Sequence, residues 1–203
     1  MPDPYKNIDA GWKVKLCDSF NKNTFDWDAN PSEDQYGIFN RVIEDGKMIW
    51  KAESKSQDGL SSWQYPAGSY TTDFIVTVQS LLISSNPKNA CPGINFRNNG
   101  SDFYEFLVCN NGFYSVLLYT EQNGWEILIS SSWNTAIMNN SYNWLTVSAH
   151  GNKFQFFING QLVDHLADST LDRGNIGVII DQSGKQSATY EFDNLLILVP
   201  DVY

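Results

Sequence analysis

The stretch FQFFINGQLVDHL, residues 154–166, sets two apolar-rich runs on either side of Asn159-Gly160. Both link residues tolerate positive φ, which the tight turn matching strand twist requires, so Asn-Gly between such runs is the strongest short-range hairpin signal in a sequence. Folding the stretch on that turn predicts Phe157 opposite Leu162 and Ile158 opposite Gln161, beside a strand NWLTVSAH at 143–150.

The same grammar extends along the chain. EDGK at 44–47, NNGSD at 98–102, NNG at 110–112, QNG at 122–124 and HGNK at 150–153 each place glycine beside Asn, Asp or His. Between these turns lie runs such as YGIFNRVI, KMIWKAE, TTDFIVTVQSLLI, FYSVLLY, WEILIS and NIGVII. Several alternate apolar and polar residues, the period of a half-buried strand. Helical periodicity is weak; SSWNTAIMNN at 131–140 offers a turn or so at best. Many short strands without intervening helices predict an all-β, antiparallel two-sheet sandwich or a barrel.

The 203 residues suit one domain, with residues 1–11 a loose, proline-containing lead-in and 12–203 the folded unit. Hydrophobic residues make up 42% of the chain, enough for a sizeable core, and a charged fraction of 18% excludes a disordered tail. A net charge of −10 repels a phosphate backbone, so nucleic acid and anionic membrane are poor partners. The longest dense apolar run, NLLILV at 194–199, is strand-sized, and membrane insertion by this chain is not expected. The opening residues lack the pattern of a signal peptide, so any signal or anchor would lie outside this chain.

Chemistry is sparser than architecture. The two histidines, His150 and His165, have no Ser/Asp constellation around them and read as structural or exposed. Centring a hairpin on Gly100 places Phe96 opposite Tyr104, Asn95 opposite Glu105, and Cys91 opposite Cys109. A two-residue Asn111-Gly112 turn then sets Cys109 opposite Tyr114 and Leu107 opposite Val116. Alternation sends Ile94, Phe96, Tyr104, Phe106 and Val108 to the core. Asn95, Arg97, Phe103, Glu105, Leu107 and both cysteines take the other face.

On that face Asn95, Arg97 and Glu105 form either a polar patch for a hydroxylated ligand or a cross-strand ion pair on a solvated sheet. Tyr114 and Trp125, with Trp63, Tyr65 and Trp133, lie near turns or strand ends where an exposed ring would stack on a sugar. Cys91 and Cys109 are either a disulfide, implying an oxidising compartment, or two buried thiols. Cys17 is left unpaired. Asp193, just before the last apolar run, either helps hold a hard cation such as calcium or ties the terminal strand by hydrogen bonds to backbone.

The ordered pieces LTVSAHGNKFQFFINGQLV, RGNIGVII and FDNLLIL, with CDSFNKNTFDWD, EDGKMIW and GINFRNNGSDFYEFLVCNNGFYSVLLY upstream, resemble laminin-G-like, concanavalin-A-like jelly rolls. The nearest likeness is to bacterial 3-keto-disaccharide hydrolase and glycoside-hydrolase-family-16-like sandwich domains. The resemblance implies a jelly-roll β-sandwich, an extracellular or cell-surface location, and a structural calcium site drawing on Asp193. The family-16 acid pattern E-x-D-x-x-E is incomplete: Glu191 and Asp193 begin it, but Leu196 stands at the last position. The expectation is therefore a non-catalytic module that binds carbohydrate or another surface ligand on its concave sheet through Asn95, Arg97, Glu105, Tyr114 and Trp125. The alternatives are a glycoside-acting hydrolase using Glu105 and a structural protein-interaction domain.

Overall fold

A computed structural model describes residues 11–83 and 89–201, so all but the last residue of the expected lead-in lies outside the described residues. Among the described residues every regular element is a strand. The first sheet runs in the order β13 (Gln161–Ala167), β12 (Lys153–Ile158), β11 (Asn143–His150), β6 (Phe74–Ile83), β15 (Ser187–Pro200), β4 (Lys47–Ser54), β3 (Gly37–Glu44), β2 (Ser32–Glu33). A ninth strand, β1 (Trp12–Asp18), joins it through β15. The second sheet is six-stranded, in the order β10 (Gly124–Trp133), β9 (Phe113–Thr120), β8 (Phe103–Val108), β7 (Ala90–Asn98), β14 (Asn175–Gln182), β5 (Leu60–Gln64). All pairings are antiparallel, and the chain is an all-β jelly-roll sandwich.

The hairpin at 154–166 forms in the expected register, Phe157 opposite Leu162 and Ile158 opposite Gln161. Asn159 and Gly160 take φ of 52° and 78°, the two positive angles of a type I′ turn. Asn159 does more than turn the chain. Its amide nitrogen donates to the Ala136 carbonyl and to Asn143 Oδ1, while its Oδ1 accepts the Trp144 N–H. These bonds hold the 134–142 connection against the hairpin tip, and the segment suspected of a helical turn is instead the end of β10 followed by turns.

Alternation puts one face of each sheet into a shared core. On β4, Met48, Trp50 and Ala52 are buried, while Lys51 and Glu53 are exposed. Phe96, Tyr104 and Phe106 of the six-stranded sheet meet Phe74, Phe154 and Phe156 of the other, with ring centroids 5.1–6.3 Å apart. Offset and edge-on rings at such distances add to the burial energy itself.

The strand β15 is long enough to serve two partners on one side. Its first half pairs with β4 and its second half with β1, while β6 runs along the other side. The change of partner coincides with a register shift after Asp193, where Asn194 adopts φ of 52°. A bulge of this kind absorbs one residue and re-aims the strand.

Candidate functional site

The six-stranded sheet has a second, outward face that is also largely buried. On β8 the inward residues are Tyr104, Phe106 and Val108, and the outward ones are Phe103, Glu105 and Leu107; all six are buried. The outward set is covered by its own neighbours rather than by another layer. Phe103 contacts Trp63 of β5 at 4.5 Å, Tyr119 of β9 at 5.6 Å and Trp125 of β10 at 5.7 Å, and Tyr119 lies 5.0 Å from Trp125. Trp125 is still 47% exposed, so this aromatic wall has an open end.

Glycines let the intervening strands sit low and close. A Cβ at Gly93 on β7 would lie 2.3 Å from the Phe106 carbonyl oxygen, and one at Gly177 on β14 would lie 1.9 Å from that of Gln64. Neither position admits a side chain. Next to the wall is a depression of about 300 Å³, lined among others by Glu105, Asp181, Asn89, Ser115, Leu117 and Trp125. Cys91 also lines it and is joined to Cys109 by a disulfide that crosslinks β7 to the end of β8.

The polar atoms here are under-satisfied. Glu105 is 1% exposed and its Oε2 has no hydrogen-bond partner; Asn95 Nδ2 is buried and equally unpaired. The other end of the Asn95 amide accepts a bond from Asn98 Nδ2. Burial, reinforced by the neighbouring Asp181 charge, holds the Glu105 carboxyl well above the ordinary carboxylate range, and the nearby Ser61 hydroxyl draws it back only in part. Burial alone pushes Asp181 up to about 6. Both carboxyls therefore hold their protons more tightly than exposed ones do.

The sequence-derived residues divide. Asn95 and Glu105 pair across β7 and β8 as expected and share the outward face, and Trp125 closes the wall above them. Arg97 does not join them. The hairpin turn closes between Asn99 and Asp102, one residue out of step with the Asn95–Glu105 register. Arg97, at φ of 50°, is the extra residue, and the bulge turns its side chain inward. Its guanidinium lies 4.7 Å from the Phe154 ring centroid and donates to the carbonyls of Leu171, Thr72 and Gly151, pinning three connections at one end of the sandwich.

Tyr114 is also misplaced by the simple reading. The turn after β8 spans three residues, 110–112, with the Cys109 N–H bonded to the Phe113 carbonyl, so Val108 rather than Cys109 faces Tyr114. That one-residue slip sends Tyr114 into the core, where its hydroxyl donates to the Val163 carbonyl. No stacking face remains there.

Asp193 lies in the other sheet, at the β15 bulge, and its Oδ1 accepts the N–H of Asn194. Burial raises its pKa, and no group of three or more His, Cys, Asp or Glu side chains able to hold a metal occurs among the described residues. Glu191, the other member of the partial acid pattern, faces outward from the same sheet and is held by Lys47 Nζ at 3.0 Å and by the Tyr142 hydroxyl. It belongs to a structural ion pair far from Glu105 in topology, on the opposite sheet.

Sequence reasoning missed Asp181, Ser61 and the wall residues Phe103 and Tyr119. Asp181 reaches this face because β14 inserts between β7 and β5, pairing Asp181 with Cys91 on one side and Ser61 on the other. A hint was present in NIGVIID, where Gly177, Ile179 and Asp181 alternate with core residues. Nothing local says which strand lies alongside.

No protein-family model matches the chain, and no curated protein matches it. Solved structures do. A carbohydrate-binding module, CBM66, from Bacillus subtilis superposes with a TM-score of 0.63 at 20% identity, covering 84% of this chain and 94% of that one. A GlcNAcα1-4Gal-releasing endo-β-galactosidase from Clostridium perfringens gives 0.66 at 14% identity over 97% of this chain, which spans only 65% of that enzyme's length. The catalytic domain of an endo-1,3-β-glucanase (laminarinase) from Thermotoga petrophila gives 0.62 at 9% identity, covering 94% and 99%. At these identities the likeness speaks for the fold: the chain is a concanavalin-A-like jelly-roll β-sandwich.

Proposed function

We propose that this protein is a carbohydrate-binding module whose ligand lies on the outward face of the six-stranded sheet. One observation carries the reading: an aromatic wall with an open tryptophan stands beside a depression lined by Glu105, a buried carboxyl whose Oε2 lacks a partner, and by Asp181, Asn89 and Ser115. A sugar ring has an apolar face for the wall and hydroxyls for those groups. Solved structures of the same fold include a module and enzymes whose names refer to carbohydrate. The Cys91–Cys109 disulfide supports a place in an oxidising compartment, outside the cell or at its surface.

The test is a glycan array followed by calorimetry on any hit. Binding that disappears in Trp125→Ala supports the reading, and a blank array removes it in favour of a protein-interaction domain. A second reading, hydrolysis of glycosides, draws on the Glu105–Asp181 pair, since two carboxyls with displaced pKa values are the usual equipment for that reaction. Against it, the outward positions after Glu105 on its own strand are Leu107 and Cys109, not acids. Turnover of ordinary or 3-keto disaccharides by the wild type, lost in Glu105→Gln, would establish the enzyme reading.

A further inference from the structure

Most of the other carboxyls shielded by this fold come with a partner. Glu191 has Lys47 and Tyr142; Asp18 accepts from Trp27 Nε1 and the Phe20 N–H; Asp168 accepts from the Tyr104 hydroxyl. Arg41, itself buried, is matched by Asp28. The Glu105–Asp181 pair is the exception. Among the described residues lining its depression there is no lysine, arginine or histidine. The titratable groups that face the pair are each other and Tyr190, whose hydroxyl reaches the Asp181 carbonyl from β15 beneath. Tyr119 stands beyond in the wall.

Two carboxyls lining one depression without a cation, one of them buried with an unpaired oxygen, form a receptor missing its positive charge. An anionic sugar is repelled both here and by the net charge of −10. A neutral sugar offers hydroxyl donors but leaves the like charges uncompensated. A protonated amine supplies three donors and the charge at once, and a neighbouring indole face favours it further.

We propose that the ligand of this cleft is a sugar bearing a protonated amine, a de-N-acetylated hexosamine unit, with its ammonium between Glu105 and Asp181 and its ring toward Trp125. The proposal rests on the carbohydrate-binding reading above and narrows it to one chemical class.

The experiment compares a β-1,4-linked glucosamine hexamer with its fully N-acetylated counterpart by calorimetry on the intact protein, with a lysine hexamer as a control for charge alone. The amine-bearing sugar is expected to bind about tenfold or more tightly than the acetylated one, in line with a charge-assisted hydrogen bond replacing a neutral one. Asp181→Asn and Glu105→Gln are each expected to reduce that preference to about threefold or less. Independently of any variant, wild-type affinity for the amine should rise from about pH 5 to pH 7 as Asp181, pushed up to about 6, gives up its proton, with proton release on binding, and fall once the amine itself loses its charge. Equal binding of the two hexamers, or tight binding of another neutral glycan alone, overturns the proposal and leaves the carbohydrate reading standing. Lysine hexamer binding as tightly as the amino sugar overturns it as mere charge attraction. Failure of every glycan overturns both.

Discussion

Glu105 and Glu191 are both buried strand glutamates, 1% and 8% exposed, yet the molecule treats them in opposite ways. Glu191, outward on the nine-stranded sheet, meets Lys47 across the strand pair and the Tyr142 hydroxyl from the next connection. Glu105, outward on the six-stranded sheet, feels another carboxyl, Asp181, has only the Ser61 hydroxyl to offset it, and keeps one oxygen unpaired. The first arrangement is what a stable sheet face selects, because a buried charge costs little once its partner and hydrogen bonds are in place. The second spends stability for no structural return, and departures of that kind concentrate where a protein binds something.

The largest way to disturb the contrast is to open the rim of the Glu105 face. The Cys91–Cys109 disulfide, with a sequence separation of 18, closes a loop that contains all of the β7–β8 hairpin but Ala90. Its removal by Cys91→Ser with Cys109→Ser should cost about 3 kcal/mol on loop-closure grounds, measured by denaturant unfolding. The loss should be matched by faster amide exchange on β7 and β8 and not on β4 or β15. Uniform loss across both sheets would mean that the hairpin is not an independent source of stability.

A smaller effect, opposite in sign, is expected from Asp181→Asn. A carboxyl whose folded pKa is raised binds its proton more tightly folded than unfolded, so its contribution is present at low pH and lost as pH climbs through the window between the two values. For Asp181 that window runs from 3.8 to about 6. The wild type should therefore lose on the order of 2–3 kcal/mol across it from this group. The variant should be more stable than wild type at pH 8 by that amount and nearly equal to it at pH 4. Greater wild-type stability at pH 8 would show that Asp181 has a cationic partner after all.

The converse experiment on the nine-stranded sheet should be milder. Lys47→Ala leaves Glu191 with Tyr142 alone, and because the lysine side chain is about one-third exposed, about 1 kcal/mol of destabilisation is expected. Here the loss should shrink in high salt, which screens the Lys47–Glu191 attraction. An equal loss at all salt concentrations would assign the effect to packing of the lysine stem over the Tyr142 ring.

How far this contrast was readable beforehand depends on the range of the interactions involved. The Asn159-Gly160 hairpin and the Asn95–Glu105 register follow from turn chemistry within a dozen residues, and both appear as read. Arg97 and Tyr114 were misplaced by single-residue events, a bulge and a three-residue turn, each of which reverses every side chain beyond it until compensated. Asp181 was out of reach for a different reason. Its position beside Glu105 follows from a strand that returns from over eighty residues beyond β7, and alternation reports a face but not a neighbour.

The smallest effect on stability should come from Trp125, and it separates the two faces most cleanly. The ring is 47% exposed on an edge strand and packs against Phe103 and Tyr119, so Trp125→Ala should change unfolding free energy by about 1 kcal/mol or less. Binding should respond far more, because the ring lines the same depression as Glu105 and its unpaired oxygen. A comparable exposed aromatic away from the cleft, Tyr36, provides the control, and Tyr36→Ala should leave both quantities nearly unchanged. If Trp125→Ala costs several kcal/mol of stability, the wall is a second core and its partial exposure is incidental. If it costs little stability and removes ligand binding, the aromatic wall exists for the ligand, and the unpaired acids beneath it belong to the same site.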